Sequence, residues 1–67
     1  MQGAMYNVAL KLALIKKDMN QRDLARKAKI PEAYISLAMW NKYNLTPQKQ
    51  TRIAEILDMR VDELFPE

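Results

Sequence analysis

The chain has no cysteine, no histidine, one glycine and no long apolar run, and each shortage removes a class of function. Without cysteine there is neither a disulfide nor a thiolate nucleophile. Without histidine as well, the usual zinc sites and imidazole acid–base chemistry are excluded. The longest apolar stretches are like "LALI", Leu12–Ile15, far short of the ~20 residues that span a bilayer. The opening "MQGAM" lacks the charged start and apolar core of a secretory signal. Residues 1–4 are set aside as a candidate cloning remnant before Met5. A cytoplasmic location fits this composition, and no metal, cofactor, membrane or small-molecule ligand is expected.

What is present is helical. Sixty-seven residues make a single domain, 1–67, near the lower end of what folds alone. No stretch alternates with period two long enough to suggest a strand, and prolines at 31, 47 and 66 punctuate runs of helix formers. The expected class is all-α, a compact five-helix bundle. Helix 1 spans about Asn7 to Lys17, with Asn7 as a candidate cap. Leu10, Ala13 and Leu14 share one face of it, and Val8, Leu12 and Ile15 share another. One apolar stripe suffices for a small domain; the second stripe is expected to be covered in part by Leu64 and Phe65, with any remainder serving as a contact surface.

Helix 2, about 21–29, has the clearest start. Asn20 and Asp23 are spaced as a capping box, and Met19 and Leu24 as a hydrophobic staple. Pro31 disfavours helical geometry at Ile30 and closes the helix near Lys29. Helix 3 spans about 32–40, with Asn41 suited to the left-handed residue that ends helices. Thr46 and Pro47 open helix 4 as cap and first turn, and Ile53, Ile56 and Leu57 form its stripe. A short helix 5 spans Val61 to Phe65, with Asp62 and Glu63 near its positive end.

Charge is unevenly placed. Residues 1–30 hold seven bases against two acids, a balance of +5, and residues 31–67 hold four bases against six acids, a balance of −2. Such asymmetry points one face toward a polyanion.

The segment "NQRDLARKAKIPEAYISLAMW" resembles the bihelical unit of the Xre-like helix-turn-helix family, which includes lambda-type phage repressors and Cro proteins. Gln21, Leu24–Ala25, Ala28, Ile30 and Ile35 carry the likeness, and "RIAEILDMRVDELF" is similar to that family's fourth and fifth helices. The resemblance implies a domain that binds operator DNA, usually as a two-fold dimer, with helix 3 in the major groove and helix 2 across the phosphates. It makes Gln21 and Lys42 phosphate contacts, with Arg22 and Arg26 extending the attraction; for the two arginines a solvated helix face is the alternative. Phosphate contacts of this kind set register without reading sequence. Tyr34 and Tyr43 are placed to reach phosphate from the flank. The family's dimer region nominates Met59, Val61 and Phe65. Four positions depart from its pattern. Asp18 and Lys29 stand where glycine is usual, and Trp40-Asn41 replaces Asn-Gly. Leu14 and Met39 occupy the places of a common arginine–glutamate pair, a change that packed hydrophobes tolerate.

The outer face of helix 3 holds Ala33, Leu37 and Trp40, with Ser36 beside them, and is mostly apolar. Three readings stay open. In the first, Ala33 and Leu37 pack on thymine methyls, Glu32 accepts from a cytosine amino group and Ser36 serves either way, with DNA shape contributing. In the second, Leu37 and Trp40 form a protein interface. In the third, Trp40 folds back onto Tyr43 or Leu45. The expected function is a sequence-specific DNA-binding transcriptional regulator, a repressor of phage or bacterial type that occludes an operator as a homodimer on double-stranded DNA. The alternative is a protein-interaction module on the same scaffold, antirepressor or antitoxin-like. No enzyme is expected, since Ser36 has no base beside it and the chain is too small to build a catalytic pocket.

Overall fold

Three of the five helices among the described residues start on a short polar side chain, Asn7, Asn20 or Thr46. In the computed structural model, which describes residues 6–65, the elements run α1 (Val8–Lys16), α2 (Gln21–Ala28), α3 (Glu32–Met39), α4 (Pro47–Leu57) and α5 (Val61–Leu64). The candidate cloning remnant lies outside the described residues. Asn7 caps α1, its Oδ1 accepting from the Leu10 N–H at 3.0 Å. Asn20 and Asp23 form the expected reciprocal box on α2, at 2.7 and 3.3 Å. Thr46 caps α4 by accepting from the Lys49 N–H, with Pro47 in the first turn. The Glu63 carboxylate accepts from the Arg60 N–H and so opens α5.

The first four helices share one ending. A residue with positive φ follows each of them: Asp18 (55°), Lys29 (59°), Asn41 (58°) and Asp58 (58°). The next N–H then reaches back five residues: Met19 to Leu14, Ile30 to Ala25, Lys42 to Leu37 and Met59 to Ala54, at 2.9–3.0 Å. This is the Schellman geometry, which satisfies carbonyls the helix leaves open and normally recruits glycine. No described residue is a glycine, so side-chain-bearing residues hold all four left-handed positions. Lys29 therefore takes on the strained geometry, and the turn between α2 and α3 keeps its tight shape.

Fifteen buried apolar side chains form one core. Leu10, Leu24, Ile35, Met39, Ile53, Leu57 and Leu64 are its large, fully enclosed members. α2 packs on both α3 and α4, and α1 packs on α3 and α5. Ala13, Ala25, Ala28, Ala38 and Ala54 are buried among them. Leu14 and Met39 are both enclosed in the core. A radius of gyration of 10.8 Å equals the roughly 11 Å of a compact chain this long. Among the described residues no helix is long and apolar enough to cross a membrane.

Two long-range contacts tie the bundle. The Asn7 N–H donates to the Met39 carbonyl at 2.6 Å, and its Nδ2 donates to the Leu64 carbonyl at 2.8 Å. One buried residue thus holds the start of α1 to the ends of α3 and α5. Arg52 on α4 donates from Nη1 to the Ala28 carbonyl at 2.7 Å, a cation placed at the negative end of α2.

The second stripe of α1 departs from expectation. Val8, Leu12 and Ile15 are 54%, 54% and 59% exposed, so Leu64 and Phe65 do not cover them. Leu64 is drawn into the core, and Phe65 packs against it. With only four residues, α5 is too short to reach both faces of α1.

Candidate nucleic-acid interface

The charged surface is built outward from the α2 N-terminus. The capping box supplies acceptors for Asp23 and, through the Asn20 carbonyl, for Leu24. The N–H groups of Gln21 and Arg22 are left without an intrahelical acceptor, as the first turn of a helix requires. They stand at the positive end of the α2 dipole. Around them lies an open notch lined by Lys11, Asn20, Gln21, Arg22 and Glu32. Lys11 comes from α1, and sequence reading did not include it. Its proximity to Gln21 depends on how α1 packs against the bihelical segment, which no local pattern records.

A second groove, between α2 and α3, is lined by Arg22, Arg26, Lys29, Pro31 and Glu32. Arg22, Arg26 and Lys29 are all exposed. Arg22 Nε lies 4.0 Å from Glu32 Oε1, with both side chains more than half exposed. A pair so wet and so long contributes little to stability. It does hold a carboxylate at the mouth of an otherwise cationic surface. Glu32, expected to meet a cytosine, faces Arg22 instead in the free protein.

α3 divides as its periodicity requires. Ile35, Ala38 and Met39 are buried, while Ala33, Leu37 and Trp40 are exposed and Ser36 is half-buried. Leu37 and Trp40 keep 40% and 49% of their surface open. Among the described residues the indole's aromatic partner is Tyr6, while Tyr43 pairs with Tyr34. The indole meets Tyr6 edge-on, with ring centroids 4.5 Å apart. The Asn7–Met39 hydrogen bond explains the choice, because it brings the residue before Asn7 up to the end of α3.

Tyr34 and Tyr43 come together as a stacked pair, centroids 5.0 Å apart, with Lys49 Nζ 5.8 Å above the Tyr34 ring. The stack joins α3 to the connection before α4, and the lysine adds a base to that flank. Lys42 is exposed in the turn just after α3. Gln21, Arg22, Arg26 and Glu32 are thus gathered around two adjoining grooves, while Tyr34 and Tyr43 pair on the flank of α3 and Lys42 follows its C-terminal end. Met59, Val61 and Phe65 are elsewhere, half-buried and packed against the core. Their apolar surface is largely enclosed within the domain, and the open apolar area is on α1 and α3. Among the described residues no cluster of carboxylates could hold a metal ion.

No protein-family model matches the chain, and no curated protein matches it closely enough to count as a relative.

Proposed function

We propose that the chain is a sequence-specific DNA-binding transcriptional regulator, a repressor that acts by covering an operator. One observation carries this reading. The free N–H groups at the α2 N-terminus, with Lys11, Arg22 and Arg26 around them, adjoin a helix, α3, whose outer face is open. An anion at that notch would be a backbone phosphate, met by Gln21 and the α2 N-terminus. α3 would then lie in the major groove, with Ala33 and Leu37 against thymine methyls and Ser36 within reach of a base edge. Lys42, Tyr34 and Lys49 would meet the backbone farther along. No bond is made or broken. Two copies on a two-fold site would exclude polymerase by occupancy.

Selection of preferred sites from a random duplex library tests the reading. A palindromic preference is the expected result, and no enrichment over input refutes it. Six bases per copy (Lys11, Arg22, Arg26, Lys29, Lys42 and Lys49) face the proposed path, so log K should fall against log salt with a slope of about −5 per copy. Gln21→Ala with Lys42→Ala weakens binding to all sequences alike, whereas Leu37→Ala changes which sequences are preferred.

A second reading draws on the openness of Leu37 and Trp40: a protein-interaction module on the same scaffold, antirepressor or antitoxin-like. It predicts a flat salt titration with random duplex and loss of a protein complex on Trp40→Ala.

A further inference from the structure

The exposed stripe of α1 adjoins the surface assigned to DNA reading and shares only Lys11 with it. At about 100° per residue, Val8, Leu12 and Ile15 fall on one line along the helix, directly opposite the buried Leu10, Ala13 and Leu14. Lys11 lies along one edge of that line and Lys16 along the other, both exposed. From Asn7 to Lys17 there is no acid. Among the described residues neither lysine has a carboxylate within 4 Å; the ion pairs there are Arg22–Glu32 and Arg60–Asp62. The outward face of α1 is therefore an apolar strip between two unneutralised positive edges.

We infer that this strip is a docking seat for an acidic amphipathic helix of a partner protein. An apolar ridge of i, i+4, i+7 anchors is what one helix presents to another, and glutamates or aspartates flanking the partner's own ridge would meet Lys11 and Lys16. A second copy of the chain fits poorly. In a symmetric pairing of α1 with α1 every edge is positive, and in the antiparallel form the two Lys11 side chains become neighbours near the axis. Like charges so placed oppose association. The area is also wrong for a stable homodimer, which buries about 800 Å² on each side; nine residues of helix with three apolar side chains suit a single-helix visitor. Nothing in this inference depends on DNA binding.

The test uses a synthetic helical peptide with leucines at i, i+3, i+4 and i+7 and glutamates on both flanks, beside a counterpart with lysines in place of the glutamates. Titration by fluorescence anisotropy should give saturable binding of the acidic peptide, about ten-fold or more tighter than its basic counterpart. Leu12→Ser, and separately Lys11→Glu with Lys16→Glu, should each weaken it about ten-fold while the thermal midpoint of the protein stays unchanged. Absence of binding overturns the inference, as does equal affinity for both peptides. Self-association in sedimentation that disappears in Leu12→Ser overturns it in favour of a second copy. Binding to phosphatidylglycerol vesicles that is stronger than peptide binding and lost in Leu12→Ser overturns it in favour of a membrane surface.

Discussion

Replacing Lys29 with glycine should make the protein more stable. Lys29 holds φ at 59° and ψ at 42° to close α2, and a side-chain-bearing residue there costs about 1–2 kcal/mol through Cβ crowding. Glycine removes that cost but adds roughly 0.4–1 kcal/mol of unfolded-chain freedom. The lysine's charge contributes little at this helix end, because the Arg52 guanidinium already occupies the Ala28 carbonyl. The net gain is about 0.5–1 kcal/mol, a rise in Tm of roughly 3–6 °C for a domain of this size. Circular dichroism melts and urea titrations of Lys29→Gly and Lys29→Ala measure it. Alanine removes the charge and keeps Cβ, so it should give no gain. Asp18→Gly and Asp58→Gly should fall between Lys29→Gly and Asn41→Gly, and Asn41→Gly should change stability least, since asparagine tolerates the left-handed region. A Lys29→Gly protein no more stable than the parent, or an alanine variant with the same gain, would refute the strain argument. If the proposed function holds, Lys29→Gly should also weaken binding to random duplex, trading a phosphate-facing base for stability.

Asn7→Ala should lower stability by about 2–3 kcal/mol, from a lost cap and an unpaired Leu64 carbonyl; urea denaturation reads it, and a loss under 1 kcal/mol contradicts the clasp. Asn7→Asp keeps the oxygen that accepts from Leu10 but loses the donor to Leu64, and it too should be less stable than the parent. Arg52→Met should cost about 1 kcal/mol through the lost charge-assisted bond to Ala28, and an unchanged melt would show that the bond contributes nothing. Glu32→Gln leaves the fold intact and removes the carboxylate beside Arg22. It should raise affinity for random duplex several-fold at low salt, and an affinity equal to the parent's would place Glu32 outside the phosphate path.

The legible part of this molecule was local. The Asn20–Asp23 box, the Thr46–Pro47 start and the burial of Ile35, Ala38 and Met39 are each decided within a few residues, and periodicity with capping chemistry recovers them. The positive φ at Lys29 was half legible, since the family resemblance suggested a glycine position but could not say whether the turn would reshape. Asp58 repeats that geometry with no signal to single it out. Contacts between distant residues were not legible. Trp40 meets Tyr6 because Asn7 bonds to Met39, and nothing near Trp40 in the sequence announces that bond. Lys11 enters the notch for the same kind of reason. On α1, periodicity revealed two apolar faces but not that α5 would be too short to cover the second.

The clasp at Asn7 has a consequence for synthesis. Its amide waits for a carbonyl 57 positions later, so a nascent chain cannot make this bond until the turn carrying Leu64 has cleared the ribosome. Until then the leucines of α1 have only partial shelter, and a stalled or clipped product lacking Leu64 would expose a core it has no means to close.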